Sequence, residues 1–193
     1  MLYFYNMEEA IVFIDAGYLS FISKFFGNGK HIKFKLERFS ENLAKQKSLK
    51  CKKIYYYTAP PYQSSRSNEK ENKRKANYDK FIEKIKDVKP PIVIREGRCQ
   101  KDEKGVYHQK GVDTILTMDL LKSAQNKEAR NFILLTSDTD FVPVMAEIQK
   151  DHGINLILAY FTDKRRKSAF SLSNHLWNSC KDKILINKGH FQD

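Results

Sequence analysis

Little in this chain would cross-link or anchor it. Its cysteines number three, Cys51, Cys99 and Cys180, an odd count with no CxxC pair and no histidine at a zinc-finger spacing. Neither a disulfide framework nor a structural zinc site is therefore readable, and a reducing cytoplasm is the expected location. No apolar run exceeds strand length and Met1–Asn6 lacks a basic flank, so the sequence reads without a secretory signal or a membrane span. Met7-Glu8-Glu9 makes an equally natural start, with the first six residues as a disordered extension. Repeats, low-complexity tracts and linkers are missing too, and one domain over residues 1–193 is expected. Acid is in short supply: Asp plus Glu number 23 against 35 Lys plus Arg, a formal charge of +12 that points to a polyanionic partner.

What is present, at 41% apolar content, is an alternation of strand-length apolar runs with longer helical periodicity. That alternation is the βαβ pattern of a mostly parallel α/β sheet covered on both faces. Strands are expected near Ala10–Ile14, Lys53–Tyr57, Pro91–Arg95, Asn131–Thr136 and Asn155–Tyr160. Helices fall near Lys35–Gln46, Glu69–Asp87, Val112–Gln125 and Phe141–Asp151; the last has Asp140 placed as N-cap, Pro143 in its first turn and Gly153 beyond its end. The turn-rich stretch from Pro60 to Asn68 reads as a mobile loop, and Glu96–Gln109 as a hairpin turning at Asp102–Gly105.

Three short stretches carry aspartate to the ends of strands or the start of a helix. Asp15 closes Val12-Phe13-Ile14 and precedes Gly17, where the backbone can turn into a helix and leave the carboxylate at the sheet edge. Asp138 and Asp140 follow Leu134-Leu135-Thr136-Ser137, and alternate residues of an extended turn face one side. Asp140 has the helix cap as a local explanation, whereas Asp138 has no such duty. Asp113, after Lys110-Gly111-Val112, sits in a first helical turn, where the dipole favours negative charge. Asp119 lies about 120° around and roughly 9 Å along the same helix, which places it in a second tier, holding a neighbouring basic group.

In an open α/β sheet the strand ends share one rim, so these acids can converge. Two carboxylates about 4 Å apart repel by roughly 1 kcal/mol in water-like surroundings and about 4 at an intermediate dielectric. A proton or a cation must offset that. Oxygen-only ligands suit Mg²⁺ or Mn²⁺ far better than zinc, and the matching chemistry is phosphodiester hydrolysis. Thr136, Ser137 and Thr139 are placed to hydrogen-bond a phosphate oxygen and Lys110 to neutralise one, although hydroxyls at such turns also serve the local backbone.

Together these stretches resemble the NYN domain, a branch of the PIN-like nuclease superfamily, and in particular its bacterial LabA-like group. The resemblance rests on Phe13-Ile14-Asp15, on Lys110-Gly111-Val112-Asp113 with a following Asp119, and on Ser137-Asp138-Thr139-Asp140-Phe141-Val142-Pro143. It covers a core from about residue 10 to 160 and leaves 161–193 as a C-terminal extension. It implies a PIN-like three-layer α/β/α fold around a sheet of about five strands. Asp15, Asp113 and Asp138 would be the metal-binding acids, with Asp140 as a further catalytic candidate. Many NYN members carry asparagine three residues after the first aspartate; Tyr18 stands there instead and removes a polar group from beside the metal.

The basic run Lys164-Arg165-Arg166-Lys167 follows the last of these strands at its rim end and is the favoured phosphate contact; Lys73-Arg74-Lys75 is more readily a solvated helix face. Tyr55-Tyr56-Tyr57 reads as mostly core, Tyr62 as free to stack on an unpaired base, and Trp177 with Phe170, Leu172 and Leu176 as a packed helix face. The sum is a cytoplasmic Mg²⁺- or Mn²⁺-dependent ribonuclease. The expected partner is RNA, with DNA not distinguished from it and a homodimer left open; no residue pattern identifies a protein partner. The rival readings are an NYN-fold nucleic-acid-binding module without turnover and a phosphatase built on Asp138-Thr139-Asp140, although phosphatases of that type carry the pair after their first strand.

Overall fold

The computed structural model describes residues 7–163 and 172–192. In chain order the elements are β1 (Glu9–Asp15), α1 (Ala16–Phe26), α2 (Leu36–Gln46), β2 (Lys50–Thr58), α3 (Glu69–Ile85), β3 (Ile92–Glu96), β4 (Arg98–Lys101), β5 (Tyr107–Lys110), α4 (Val112–Gln125), β6 (Asn131–Leu135), α5 (Val142–His152), β7 (Asn155–Tyr160), α6 (Asn174–Asn178) and β8 (Asp182–Leu185). Six strands form one sheet in the order β3-β2-β1-β6-β7-β8, every neighbouring pair parallel. β4 and β5 make a separate antiparallel hairpin that turns at Asp102–Gly105 as the sequence implies.

Strand residues alternate between two cores. Val12, Ile14, Ile54, Ile133 and Ile157 face α1 and α2, packing on Tyr18, Ile22, Phe39 and Leu43. Ile11, Phe13, Tyr57, Phe132, Leu134 and Leu158 face α4 and α5, packing on Leu116, Leu120, Met145 and Ile148. The result is the three-layer PIN-like arrangement, a parallel sheet covered on both faces whose central strands β1, β6 and β7 read as near-continuous apolar runs.

The sheet has one strand more than expected. β8 pairs with β7, and Ile184, Ile186 and Phe191 are buried, so the C-terminal segment completes a core rather than extending from one. Its four residues begin with Asp182-Lys183, a short charged edge strand that leaves only a weak apolar signal. The Pro60–Asn68 stretch is also better tied than expected. Glu71, buried in the first turn of α3, accepts from both the Ser64 hydroxyl at 2.7 Å and the Ser64 N–H at 3.2 Å, and forms a capping box with Asn68. Trp177 departs in the other direction: α6 is short, Leu176 is its buried residue, and Trp177 is 40% exposed, its ring edge-on to Tyr160 with the Lys183 ammonium 4.4 Å from its ring centroid. Phe170, Met1–Asn6 and Lys164–Lys167 lie outside the described residues.

Candidate active site at the sheet rim

β1 and β6 are adjacent, and the chain leaves β1 toward β2 and β3 on one side and β6 toward β7 and β8 on the other. The crevice beyond their C-terminal ends is the topological switch point of the sheet, the place where open α/β folds bind ligands. Asp15 ends β1, and Asp138 follows β6 by three residues, with Ile14 paired to Leu135.

Each acid is held by its own backbone. Asp15 caps α1, its Oδ1 accepting from the Gly17 N–H at 2.8 Å and the Tyr18 N–H at 3.3 Å. A Cβ at Gly17 would stand 3.1 Å from that oxygen, so glycine leaves the carboxylate room. Asp138, not Asp140, is the cap after β6: its Oδ1 accepts from the Asp140 N–H at 2.9 Å and opens a short 3₁₀ turn over Thr139–Phe141 that leads into α5. Asp140 is exposed at the mouth. The expected cap shifts by two residues because the 3₁₀ turn precedes the α-helix, whose own start carries no side-chain cap.

Asp113 sits in the first turn of α4, brought to the rim by Gly111 in the left-handed region at φ 81°. Its carboxyl is raised above the ordinary range by partial burial, then by the charges of Asp138 and Asp140. The Asp15 carboxyl is pushed up to about 6, chiefly by burial and additionally by Asp113 and Asp138, against the opposing pull of its two N–H donors. Acids contributed by β1, α4 and the turn after β6 thus share one electrostatic neighbourhood that a positive charge would relieve.

Among the described residues, no three Asp, Glu, His or Cys side chains are drawn together as a ready-made metal cage. The donor set still fits Mg²⁺ or Mn²⁺, which take one or two carboxylates and complete their shell with water and phosphate oxygens.

The remaining expected residues divide. Ser137 and Thr139 are half-buried beside Asp138, and Lys110 is exposed at the end of β5. Thr136 is completely buried and its hydroxyl accepts from the Asp138 N–H at 3.1 Å, so it positions that acid and is out of reach of a phosphate. Tyr18 is likewise buried; its hydroxyl accepts from the Phe161 N–H at 2.8 Å on the opposite side of the sheet from α4. Through that hydroxyl it ties α1 to the end of β7. Asp119 is buried on α4 and holds Arg95, a neighbouring basic group of the kind expected for it. The third partner, Tyr57, donates to Asp119 at 3.2 Å and was readable only as core. Its signal was faint: a tyrosine at the end of a buried strand has to find an acceptor for its hydroxyl. Lys164, Arg165 and Arg166 lie outside the described residues.

The family model for the NYN domain matches residues 9–184. No curated protein matches the chain. Among solved structures, the crystal structure of a protein of unknown function from Vibrio parahaemolyticus is similar over 97% of each chain, with a TM-score of 0.59 at 12% identity, a likeness of fold.

Proposed function

This chain belongs to the NYN domain family, within the PIN-like nuclease superfamily, and from that premise we propose that it is a metal-dependent ribonuclease whose site is the acidic rim between β1 and β6. The observation that carries the reading is the placement of Asp15, Asp113 and Asp138 by three separate elements at the sheet's switch point, where the charges of Asp113 and Asp138 add to the burial that raises the Asp15 carboxyl. Asp15, Asp113 and Asp138 would hold Mg²⁺ or Mn²⁺ through carboxylate oxygens. When bound, the cation supplies positive charge against the non-bridging oxygens of the scissile phosphodiester.

The chain's own groups do the rest. Asp140, exposed at the mouth, orients the attacking water and accepts its proton. Ser137 and Thr139 donate to the phosphate, and Lys110 faces its charge. Lys164, Arg165 and Arg166 would add backbone contacts that weaken steeply with salt.

The test is cleavage of end-labelled RNA and DNA with Mn²⁺, Mg²⁺ or EDTA, comparing the wild type with Asp138→Asn. Asparagine retains the cap to the Asp140 N–H and removes only the charge, so the variant is expected to fold and to lose its products. Equal cleavage by the variant would overturn the assignment. Salt-sensitive RNA binding without metal-stimulated products would replace the enzyme with a binding module.

A further inference from the structure

Beside the rim stands a wall that none of the acids uses. It is built from the β4–β5 hairpin and from the loop that follows β2. Both ends of the hairpin are pinned at the rim. The Gly97 N–H donates to the Thr58 carbonyl at 2.9 Å, and a Cβ on Gly97 would lie 2.5 Å from the Lys110 carbonyl oxygen and 2.7 Å from Val112 Cγ2. Only a glycine lets the stem pass so close to the start of α4. The hairpin's tip is clasped as well, Asp102 accepting from the Val106 N–H at 2.8 Å and pairing with His108 at 2.8 Å.

On this wall two aromatic rings meet. Tyr62, from the loop braced by Glu71, lies 5.7 Å from Tyr107 of β5, ring centroid to centroid, with the planes tilted by 51°. Tyr107 is 45% exposed despite that contact, and the Lys101 ammonium, from the paired position on β4, stands 5.7 Å from its centroid. Val106 beside it is half exposed. Every residue from Lys101 to Lys110 is exposed, and the hairpin carries Arg98, Lys101, Lys104 and Lys110. A large aromatic held in place at low entropy cost, with an open face and cations within reach, matches the surface on which single-stranded nucleic acids stack their bases. An acidic protein partner would match the cations and leave the ring pair unexplained.

We propose that Tyr107, supported by Tyr62, is the stacking site for an unpaired nucleobase, and that Lys101 meets the neighbouring phosphate. The inference rests on the nuclease reading for what happens to the strand afterwards, though not for the binding itself. At most about 20 Å of chain separates Tyr107 from Asp113, so the stacked base lies one or more nucleotides from the scissile bond. The site therefore selects for a flexible, unpaired strand, because a base inside a duplex has both faces covered.

The test uses fluorescence anisotropy in EDTA with labelled single-stranded RNA, single-stranded DNA and the matching duplexes. The proteins are the wild type, Tyr107→Ala, Tyr107→Phe and Tyr62→Ala, each checked for folding by circular dichroism. Tyr107→Ala is expected to weaken single-strand binding by about tenfold or more. Duplex binding should be unchanged, and Tyr107→Phe should bind as the wild type does. Tyr62→Ala should give a smaller loss in the same direction. The RNA and DNA arms show which strand the site prefers. Single-strand affinity equal to the wild type in Tyr107→Ala, or equal losses on single strand and duplex, would overturn the inference. Tyrosine-dependent binding without metal-stimulated cleavage would keep this site and remove the nuclease. Cleavage unaffected by Tyr107→Ala, with binding also unaffected, would do the reverse.

Discussion

Arg95 grips Asp119 with two parallel hydrogen bonds, Nε to Oδ2 at 2.7 Å and Nη2 to Oδ1 at 2.9 Å, and so fastens α4 to the end of β3. The Tyr57 hydroxyl completes the junction from β2. In register, Arg95 stands beside Tyr57 and Tyr57 beside Asp15, so the anchor lies on the strand row that presents the first acid. Whatever positions α4 positions Asp113, because both ends of that relation lie on one rigid helix.

The Asp119 side chain is only 8% exposed while Arg95 is 41% exposed, so removing the acid strands the tyrosine hydroxyl more than the guanidinium. Asp119→Ala is expected to cost about 2–4 kcal/mol of stability, and Asp119→Asn, which keeps an acceptor, about 1–2 kcal/mol. Urea unfolding measures both. Metal-induced stabilisation should persist in the asparagine variant, since Asp119 anchors and does not ligate.

The pH dependence of stability follows from Asp15. With its carboxyl raised to about 6 from an ordinary value near 3.8, the folded protein keeps a proton that the unfolded chain releases. Stability therefore falls as pH rises from about 4 to about 6 and is flat above, with the cost fully in place at neutrality. A shift of two pH units corresponds to about 2–3 kcal/mol, reduced to about 1–2 by partial exposure. Asp15→Asn keeps a capping oxygen and sheds the charge, so it should be more stable than the wild type at pH 7.5 and no more stable at pH 4. Thermal unfolding across that range checks the crossover, and the same variant should have no cleavage activity.

A divalent cation should relieve the same repulsion. Mn²⁺ or Mg²⁺ is expected to raise the melting temperature at pH 7.5, by an amount equivalent to about 2.7 kcal/mol at a hundredfold excess over Kd, and EDTA should abolish the gain. At pH 5 protons compete for Asp15 and the gain should shrink. An identical shift at both pH values, or one surviving in Asp15→Asn, would place the cation elsewhere.

Tyr18 is expected to matter for folding alone. Tyr18→Phe leaves the buried Phe161 N–H without its acceptor at 2.8 Å and should cost about 1–3 kcal/mol in urea unfolding. The metal-induced rise in melting temperature should match that of the wild type. Loss of that rise would return Tyr18 to the site.

Much of this was legible locally. Buried parallel strands must be short apolar runs, so β1, β2, β3, β6 and β7 announce themselves, and α4 and β7 have the bounds their periodicity predicts. The acids at strand and helix ends are equally visible, since a carboxylate after an apolar run has only the rim to occupy. Where local chemistry had two solutions, the reading went astray. Either Asp138 or Asp140 can cap, and only the 3₁₀ turn decides between them. Thr136 can face phosphate or backbone, and its complete burial decides.

By itself, then, the sequence determined the fold class, five of the six strands of the central sheet and the acids that end its strands and open α4, because burial periodicity and end-capping are properties of neighbouring residues. The tertiary structure alone decided that β6 lies beside β1 and that Tyr57 and Arg95 meet at Asp119. It also decided that the Tyr18 hydroxyl meets Phe161, that β8 completes the sheet and that Tyr62 rests on Tyr107. Those pairings join residues far apart in the chain. The free energy selecting them is the shared burial of two apolar sheet faces, which no local stretch of sequence encodes.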